Sequence, residues 1–454
     1  MNTIAAEATA PGAAGVGIIR ISGSKTLEII AKIFQSDSNP AKQPRKLIYG
    51  VVKSAKTQQV IDKAMLVYFP TPNSFTGEDV AEIQTHGSPV IIQNILQELY
   101  RLGATPPQPG EFTRRAYMNG KLDLLQAEAV GDLISANSEA AARVALENLS
   151  GKFSSVVDDL GEPLRNILAE LEAYIDFPDE DIEPDAYAKI LADIKNCQKR
   201  ITDILKTFNY GQILKTGYRV LICGRPNAGK SSLLNSLLGT QRAIVSDIAG
   251  TTRDLIEEQA SFGGYSFVLC DSAGLAENSS DQIEKIGIEL ALDRLEWAQA
   301  ILLVASAESS KKEVSDLLDY LSKKVSAVFL VVNKTDLQEL PDINHLLVKK
   351  SFKISVKEER GLEDLKQALV DAVISKDTSE SESGIVITNQ RQQSAFQYAE
   401  EYLQKATTLL EQNSDLELIA ADLRAALFAL NDIIGVTSTE DILGRIFGKF
   451  CIGK

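Results

Sequence analysis

The stretch YRVLICGRPNAGKSSLLNSLL, residues 218–238, runs from an apolar segment through a glycine-containing loop into a helical pattern. The loop, residues 224–231, fits the consensus G-x-x-x-x-G-K-[ST] of phosphate-binding loops. That consensus requires a strand before the loop and a helix after it, and both patterns are present. The stretch therefore predicts a phosphate site at the end of a strand in an α/β fold.

Each part of this loop has a physical task. Gly224 and Gly229 let the backbone curl so that its N–H groups face phosphate oxygens, and the helix N-terminus adds partial positive charge. Lys230 neutralises the outer phosphates, and Ser231 offers its hydroxyl to magnesium. We expect nucleotide contacts from this list of loop residues: Asn227, Ala228, Gly229, Lys230, Ser231 and Ser232.

Three more apolar segments follow the loop, and helical patterns separate them. FVLCD, AILLVA and AVFLVVN have the composition of buried strands, and their alternation with helices is typical of a parallel sheet. The acidic, serine-rich stretch KDTSESESG closes this block because it cannot support a core. We therefore predict a P-loop domain with a mostly parallel sheet at residues 216–378.

The motif NKTD, Asn333–Asp336, follows the last of these strands and indicates which base is bound. The carboxylate of Asp336 can accept two hydrogen bonds, from the ring N–H and the exocyclic amine of guanine, and adenine presents no such pair. An adenine would leave the carboxylate unpaired, which costs about 1–3 kcal/mol. The motif therefore favours GTP over ATP, with contacts expected from Asn333, Lys334 and Asp336.

Two further motifs complete the nucleotide pattern. In DSAG, Asp271 would hold magnesium through water and Gly274 would bring its N–H to the terminal phosphate; in GTTRD, Thr252 is the expected direct magnesium ligand. Leu275 follows DSAG, where Ras-type GTPases carry the glutamine that orients the attacking water. Either hydrolysis is slow or another group positions the water. Glu284 is a candidate that could act through an intervening water, and its alternative is a solvated residue on a helix.

Composition limits the remaining functions. The chain has 454 residues and a formal net charge of -15, which argues against indiscriminate nucleic-acid binding but not against a structured RNA held in one basic cleft. No apolar run approaches the ~18 residues that span a bilayer, and the N-terminus lacks a signal-peptide pattern. Four scattered cysteines and two histidines predict neither a disulfide scaffold nor a zinc site. We expect a soluble cytoplasmic protein that does not associate with a membrane.

The rest of the chain divides into an α/β module and helical segments. Residues 1–119 alternate short β-prone stretches with a helical stretch. Residues 120–215 and 379–454 carry apolar residues at helical spacing. The predicted order is therefore an α/β module, helices, the nucleotide domain and more helices, which makes the fold class multidomain α/β plus α.

Seven stretches resemble the MnmE (TrmE) family of bacterial tRNA-modification GTPases, and together they extend over essentially the whole chain. They are TIAAEATAPGAAGVGIIRISG, FTGEDVAEIQTHG, PGEFTRRAYMNGKLDLLQAEAV, GRPNAGKSSLLN, DIAGTTRD, TEDILGRIFGKF and CIGK. The resemblance implies a Ras-like GTPase domain inserted between two halves of one helical domain. It also implies that residues 1–119 bind tetrahydrofolate and form a homodimer.

The resemblance further implies a reaction and its participants. The implied product is a carboxymethylaminomethyl or aminomethyl group at carbon five of the wobble uridine of certain tRNAs. The implied partner is an FAD-containing protein of the MnmG (GidA) type, in a heterotetramer or larger complex. The implied one-carbon donor is formyl- or methylene-tetrahydrofolate, used with glycine or ammonium.

Potassium-stimulated GTP hydrolysis, triggered when two G domains dimerise, is also implied by the resemblance. Asn227, Ser246, Ile248 and Thr251 match the potassium site of the family, whose cation would supply the charge that an arginine finger supplies elsewhere. Glu284 matches the family's catalytic glutamate. The remaining nucleotide contacts implied are Ser246, Asp247, Ile248, Ala249, Gly250, Thr251, Thr252, Asp271, Ser272, Ala273, Gly274, Ser355, Val356 and Lys357.

Folate contacts of the family match Arg20, Glu82, Lys121 and Lys454. A carboxylate can accept hydrogen bonds from the amino-pyrimidine edge of the pterin ring, and basic groups can pair with the glutamate tail of the folate. Two departures from the family pattern stand elsewhere. In the family, an apolar residue and then an arginine follow the motif that is DSAG here. In this chain those two residues are Leu275 and Ala276, so the contacts that the arginine makes with the switch segment are lost. Val356 replaces the alanine of a guanine-supporting SAK motif, although its backbone N–H can still contact guanine.

The terminal stretch FCIGK leaves two interpretations of Cys451. CIGK has glycine third and lysine last, so it does not fit a prenylation box, which argues against a membrane-anchored signalling GTPase. The resemblance implies a catalytic thiol at the modification site, and the alternative is a cysteine that packs beside that site. A GTP-dependent ribosome-assembly switch is the other function considered, but it predicts a basic RNA-binding appendage, and no such module is visible.

Overall fold

The computed structural model describes most of the chain, and these residues form two compact units. The first unit contains Met1–Ile134, Glu147–Glu183 and Thr408–Lys454, and the second contains Ser135–Leu146 and Pro184–Thr407. The described residues are 2–176, 184–239, 257–271, 295–321, 328–338, 343, 345–375, 384–436, 440–451 and 453. The two units cut across the four domains expected from the sequence, whose boundaries stay predictions.

A six-stranded antiparallel sheet begins the first unit. Its strands are β1 (Ile4–Glu7), β2 (Ala14–Ser22), β3 (Phe34–Gln35), β4 (Ile48–Lys53), β5 (Val60–Phe69) and β6 (Val80–Gly87). Their order across the sheet is β1-β2-β6-β5-β4-β3. Successive side chains of a strand point to opposite faces, and one face carries the fully buried Ile19, Ile21, Leu66 and Ile83.

Two helices, α1 (Thr26–Ile33) and α2 (Pro89–Arg101), pack on that apolar face. Pro89 occupies the first turn of α2, where its fixed φ suits a helix and its missing N–H costs nothing. The helical stretch expected within residues 1–119 is therefore confirmed as α2. The apolar face of α2 points into the sheet, and the paired Arg20 and Glu82 lie on the opposite face of β2 and β6.

Helices make up the rest of the first unit. They are α3 (Glu111–Met118), α4 (Leu124–Ser135), α6 (Lys152–Asp176), α13 (Leu416–Ile434) and α14 (Glu440–Phe447); α5 (Glu139–Leu149) has residues in both units. Helix α13 packs against α6, and Arg424 Nη2 lies 2.9 Å from Glu172 Oε1. A helix that follows the nucleotide domain in sequence thus packs on one that precedes it.

No helix in the described ranges is long and apolar enough to cross a membrane. The 25-residue helix α6 illustrates why. Its buried residues recur every three or four positions, at Phe153, Val157, Leu160 and Leu164, and polar residues lie between them. Such a stripe is the pattern of a helix that packs one face on a protein core.

The second unit contains a second six-stranded sheet. Its strands are β7 (Tyr218–Gly224), β8 (Glu257–Phe262), β9 (Tyr265–Asp271), β10 (Ala300–Ser306), β11 (Val328–Asn333) and β12 (Val348–Lys353). Its helices are α7 (Pro184–Lys206), α8 (Phe208–Thr216), α9 (Lys230–Leu238), α10 (Lys311–Leu321), α11 (Leu362–Ile374) and α12 (Gln390–Glu411). The four strands and the helix expected between residues 218 and 333 are all present.

This second sheet is mostly parallel, as the sequence predicts. Its order is β12-β11-β10-β7-β9-β8, and β8 is the strand that runs antiparallel to its neighbour. Every residue of β10 and β11 is buried, because helices cover both faces of such a sheet. The carboxyl ends of β7, β9, β10 and β11 meet at one edge, and the loops that follow them carry the predicted nucleotide motifs.

Within the second unit, a helix that precedes this sheet in the sequence packs against a helix that follows it. Thr202 of α7 donates a hydrogen bond to Glu400 of α12. Farther along the chain, the backbone N–H of Ile387 donates to Thr207 Oγ1 at 3.0 Å. The chain therefore leaves the sheet region close to the point where it enters it, as an inserted domain requires.

Candidate functional sites

The phosphate loop adopts a conformation that depends on its two glycines. Gly224 has φ +150° and Gly229 has φ +93°. A β-carbon added at Gly224 would lie 2.1 Å from the carbonyl oxygen of Val304, and one added at Gly229 would lie 2.2 Å from Asn333 Nδ2. The sheet and the NKTD motif therefore approach the loop so closely that other residue types would clash.

Lys230 begins helix α9 directly after this loop. Its side chain is only 7% exposed, and its Nζ donates to the carbonyl oxygen of Arg225 across the loop at 3.1 Å. The ammonium is thus held over the curled backbone, where the N–H groups and the helix N-terminus favour an anion. This arrangement fits a bound phosphate group.

A hydroxyl and a carboxylate meet beside the loop. Ser231 Oγ donates to Asp271 Oδ2 at 2.8 Å, and Asp271, the last residue of β9, is buried. Mg²⁺ prefers a few protein oxygen ligands combined with phosphate oxygens and water. The two side chains therefore fit the magnesium roles that the sequence predicts for them.

Ser355 holds the carboxylate expected to read guanine. Its Oγ donates to Asp336 Oδ1 at 2.7 Å. This hydrogen bond is the largest cause that shifts the pKa of Asp336 below its usual value, and the positive charges of Lys357 and Arg360 act in the same direction. Asp336 therefore stays ionised, as an acceptor for the N–H groups of guanine must.

Asn333 connects the two halves of the nucleotide site. Its Nδ2 donates to the carbonyl oxygen of Ala228 at 3.1 Å, and its Oδ1 accepts from the N–H groups of Lys334 at 2.8 Å and Val356 at 3.3 Å. The side chain is 3% exposed. It fixes the phosphate loop relative to residues 355–357, a role that the sequence did not reveal. The contact of the Val356 N–H with guanine stays a prediction, because that N–H donates to Asn333 in this structure.

A second group of predicted residues lies on the sheet of the first unit. Arg20 on β2 is the direct cross-strand neighbour of Glu82 on β6, and both Nε and Nη2 of Arg20 lie 2.9 Å from Glu82 Oε1. Lys121 lies beside the loop between β5 and β6, where a β-carbon added at Gly77 would be 3.4 Å from its Cγ and Cε. The structure thus pairs the arginine with the carboxylate, so Arg20 orients Glu82 besides offering a charge.

The C-terminal tail lies against the same sheet. The N–H of Gly110 donates to the carbonyl oxygen of Cys451 at 3.5 Å, and a β-carbon added at Gly453 would lie 2.1 Å from the carbonyl oxygen of Glu7. Glu7 ends β1, directly after the residue that pairs with Arg20. The tail therefore approaches β1, which pairs with the strand that carries Arg20.

The thiol of Cys451 is exposed, whereas Cys197, Cys223 and Cys270 are buried. Burial raises the pKa of the Cys197 and Cys223 thiols to about 12, so both stay protonated and unreactive. Among the cysteines, Cys451 is thus the one whose thiol a solute can reach. Its exposure argues against the interpretation of this residue as a buried packing group.

Comparisons with known proteins cover the chain from end to end. A model described as the GTP-binding protein TrmE N-terminus matches residues 3–121, and a model described as the MnmE helical domain matches residues 124–451. A protein named tRNA modification GTPase MnmE from Akkermansia muciniphila is 40% identical over 454 residues, which is 100% of this chain and 99% of that protein. The chain belongs to the MnmE (TrmE) family.

A second relative and one solved structure also match the chain. A protein of the same name from Marinomonas sp. (strain MWYL1) is 42% identical over 458 residues, 100% of this chain and 98% of its own length. The G domain of the T. maritima FeoB iron transporter is 29% identical and matches 34% of this chain and 98% of its own, with a TM-score of 0.26. That score is too low to bear on the fold, so the assignment to the MnmE family rests on the sequence matches.

Several residues that the MnmE family implies for function lie outside the described residues. They are Ser246, Asp247, Ile248, Ala249, Gly250, Thr251, Thr252, Ser272, Ala273, Gly274, Leu275, Ala276, Glu284 and Lys454. Their roles in potassium, magnesium, GTP and folate binding and in catalysis stay predictions. Of the predicted potassium ligands, Asn227 is described, and it is exposed in the left-handed conformation with φ +62°.

Two aromatic side chains of this MnmE-family chain belong to the second site but were missed in the sequence. The guanidinium carbon of Arg20 lies 5.4 Å from the ring centroid of Phe75 and 5.8 Å from that of Phe112. Both phenylalanines stand in stretches that carry the family resemblance, FTGEDVAEIQTHG and PGEFTRRAYMNGKLDLLQAEAV. The sequence gives no sign that the two rings flank one arginine, because more than thirty residues separate them along the chain.

Proposed function

We propose that this chain binds and hydrolyses GTP and acts in the modification of tRNA. The observation that carries the GTPase part is the link through Asn333, which joins the phosphate loop at Ala228 to the segment that holds Asp336. Relatives that are named tRNA modification GTPase MnmE and match the full chain support the tRNA part. We place the protein in the cytoplasm.

In the proposed GTP complex, each described residue has a separate task. The N–H groups of the phosphate loop and Lys230 bind the phosphates, and the ionised Asp336 accepts from the ring N–H and amine of guanine. Ser231 would hold magnesium directly and Asp271 through water, together with Thr252. Magnesium, when bound, neutralises charge on the phosphate oxygens.

Hydrolysis needs a group that positions water, because leucine replaces the usual glutamine at position 275. We assign this task to Glu284, acting through an intervening water. We assign a potassium site to Asn227, Ser246, Ile248 and Thr251, where a cation would counter charge that develops during phosphoryl transfer. Dimerisation of two G domains would complete this arrangement.

The proposed modification occurs at carbon five of the wobble uridine, with an FAD-containing MnmG-type protein as partner and the chain itself as a homodimer. We propose that Arg20, Glu82, Lys121 and Lys454 bind a formyl- or methylene-tetrahydrofolate. The described part of this set suits a pterin, since it offers a partly buried carboxylate, 19% exposed, next to cationic side chains. Cys451, with its exposed thiol, would act at this site.

The base preference can be tested with Asp336→Asn. An asparagine offers an N–H₂ donor where the carboxylate accepts, so the variant should lose guanine nucleotides and gain xanthine nucleotides, which carry an oxygen in place of the exocyclic amine. The measurement is competition of GDP, ADP and xanthosine diphosphate against a fluorescent GDP analogue. Displacement by ADP as strong as by GDP on the unmodified chain would contradict guanine specificity.

The tRNA function can be tested by nucleoside mass spectrometry of tRNA from cells that lack this chain. We expect the modified wobble uridine to disappear and to return when the chain is supplied again. A Lys230→Ala variant should fail to restore it, because it cannot hold the phosphates. An unchanged nucleoside profile in the deletion strain would contradict the proposal.

A further inference from the structure

The segment at residues 307–313, which joins β10 to α10 and includes the first turn of that helix, brings two carboxylates to the nucleotide motifs. Glu313 Oε1 lies 2.8 Å from Arg225 Nη1 in the phosphate loop, and Glu308 Oε2 lies 3.6 Å from Lys334 Nζ in NKTD. The second distance is too long for a hydrogen bond, whereas Arg225 donates one to Glu313. The pair of Arg225 and Glu313 is therefore the closer link between this segment and the site.

Glu313 is held in place independently of the arginine, because it belongs to a capping box. Its Oε2 accepts from the N–H of Ser310 at 3.0 Å, and its own N–H donates to Ser310 Oγ at 3.3 Å. Val314, the next residue of α10, is 4% exposed, and Leu318 one turn later is completely buried, so the helix is anchored in the core. One carboxylate oxygen thus caps the helix, and the other is held toward Arg225.

Arg225 carries a carbonyl group that organises the phosphate loop. That oxygen accepts from the N–H of Ala228 at 3.3 Å and from Lys230 Nζ at 3.1 Å. The side chain and the carbonyl of one residue belong to the same backbone, so an anchor on the guanidinium restricts how the carbonyl can turn. The ion pair with Glu313 therefore limits the positions open to the Lys230 ammonium.

An exposed ion pair is weak by itself. The side chain of Arg225 is 56% exposed and that of Glu313 is 41% exposed, and such pairs change an equilibrium by no more than about fivefold. The pair still matters for binding, because a loop that already has its bound shape loses less conformational entropy when phosphates arrive. We propose that Glu313 is a positioning residue for the nucleotide, which acts through Arg225 on the carbonyl that holds Lys230. This role rests on the GTP function proposed above and extends it to a residue outside the nucleotide motifs.

Glutamine at position 313 separates the ion pair from the helix cap. Glu313→Gln keeps an oxygen for the N–H of Ser310, since glutamine also serves in capping boxes, but it has no charge for Arg225. We expect GDP affinity to fall by about two- to fivefold, mainly through faster dissociation. Arg225→Gln should cause a loss of the same size, and the double variant should lose no more than either single variant, because both changes remove one interaction.

The experiment is displacement of a fluorescent GDP analogue by GDP, with magnesium, from the full chain, Glu313→Gln, Arg225→Gln and the double variant. Glu401→Gln is the matched control, because it removes the same charge from an exposed ion pair, with Lys405 at 2.9 Å, on a helix that carries no nucleotide motif. Its affinity should be unchanged. Steady-state hydrolysis adds a measurement that general destabilisation would not reproduce: Glu313→Gln should raise KM for GTP and leave kcat unchanged, because Glu313 contacts no reacting group.

The outcomes distinguish this inference from the GTP function itself. Losses in both single variants, without further loss in the double variant, support the positioning role. Equal affinity of Glu313→Gln and the unmodified chain, or losses that add in the double variant, overturn it and leave the GTP function intact. If circular dichroism shows that Glu313→Gln does not fold, Arg225→Gln, which changes an exposed loop side chain, decides the question by its own loss or lack of it. Failure of the unmodified chain to bind GDP overturns the GTP function and this inference with it.

Discussion

At the scale of single residues, the guanine side of the nucleotide site depends on Ser355. Its hydrogen bond to Asp336 is the main reason why the pKa of that carboxyl lies below its ordinary value. A carboxyl with a lowered pKa stays ionised above that pKa and loses its charge as the pH falls through it. Guanine binding through Asp336 should therefore persist at neutral pH and decline in acid.

Ser355→Ala should move this decline to higher pH. Without the hydroxyl, the pKa of Asp336 returns toward the ordinary value, so protonation removes the acceptor earlier in an acid titration. The measurement is GDP affinity of both proteins from neutral pH down to about pH 3, below the ordinary aspartate pKa. Ser351→Ala, which removes an exposed serine of β12, serves as the control. Coinciding titration curves of Ser355→Ala and the unmodified chain would show that the hydrogen bond does not set this pKa.

At this scale the sequence could predict roles that follow from residue type and local spacing, but not contacts between residues that are far apart in the sequence. Asp336, Lys230 and Ser231 were predicted because their chemistry follows from residue type and local spacing. The link from Asn333 to Ala228 joins residues 105 positions apart, and the stacking of Arg20 on Phe75 depends on how a loop folds. Such contacts exist only after the fold has formed, so no local pattern announces them.

At the scale of elements, four of the five strands that the sequence missed lie at the edges of the sheets. The edge strands β1, β3, β8 and β12 were unassigned, and so was β4, which lies between β5 and β3. The predicted strands β7, β9, β10 and β11 lie inside the parallel sheet and consist of apolar runs. An edge strand such as VKKSFK of β12 carries lysines that discourage pairing with another chain. The signal used for prediction, apolar burial, is weakest where a sheet ends.

The turn between β8 and β9 allows a test of one such edge. Gly263 has φ +60°, and a β-carbon added there would lie 2.5 Å from Cγ2 of the buried Val370 on α11. Gly263→Ala should therefore destabilise the fold by about 1–3 kcal/mol through strain and overpacking. The measurement is the denaturant midpoint of the transition that includes the second unit.

A neighbouring glycine separates these two causes. Gly264 also has a positive φ, +80°, but its nearest contact for an added β-carbon is at 3.7 Å. Gly264→Ala should thus show the backbone strain without the clash and cost less than Gly263→Ala. Adding Val370→Ala to Gly263→Ala should recover part of the loss, since coupled sites are not additive. Equal costs for the two glycine variants would exclude the contact with Val370 as a cause.

At the scale of the whole molecule, elements that are neighbours in the sequence do not always pack in the same unit. Composition and motifs correctly predicted an N-terminal α/β module and a mostly parallel sheet in the P-loop domain. They also predicted helices before and after that domain in the sequence. They could not assign the helices to their partners, because amphipathic helices such as α6 and α13 carry the same kind of apolar stripe. The resulting units combine distant segments of the chain, and each has its own core and its own candidate site.

Two ligands should therefore stabilise the two units separately. A ligand that binds only the folded state raises stability by RT ln(1 + [L]/Kd), about 2.7 kcal/mol at one hundred times Kd. GDP with magnesium should raise the unfolding temperature of the unit that contains Lys230, and 5-formyltetrahydrofolate that of the unit that contains Glu82. In differential scanning calorimetry, Lys230→Ala should abolish the first shift and Glu82→Ala the second, and each variant should keep the other. A single transition that both ligands shift equally would mean that the units unfold as one, because ligand binding to either site would then stabilise the same cooperative structure.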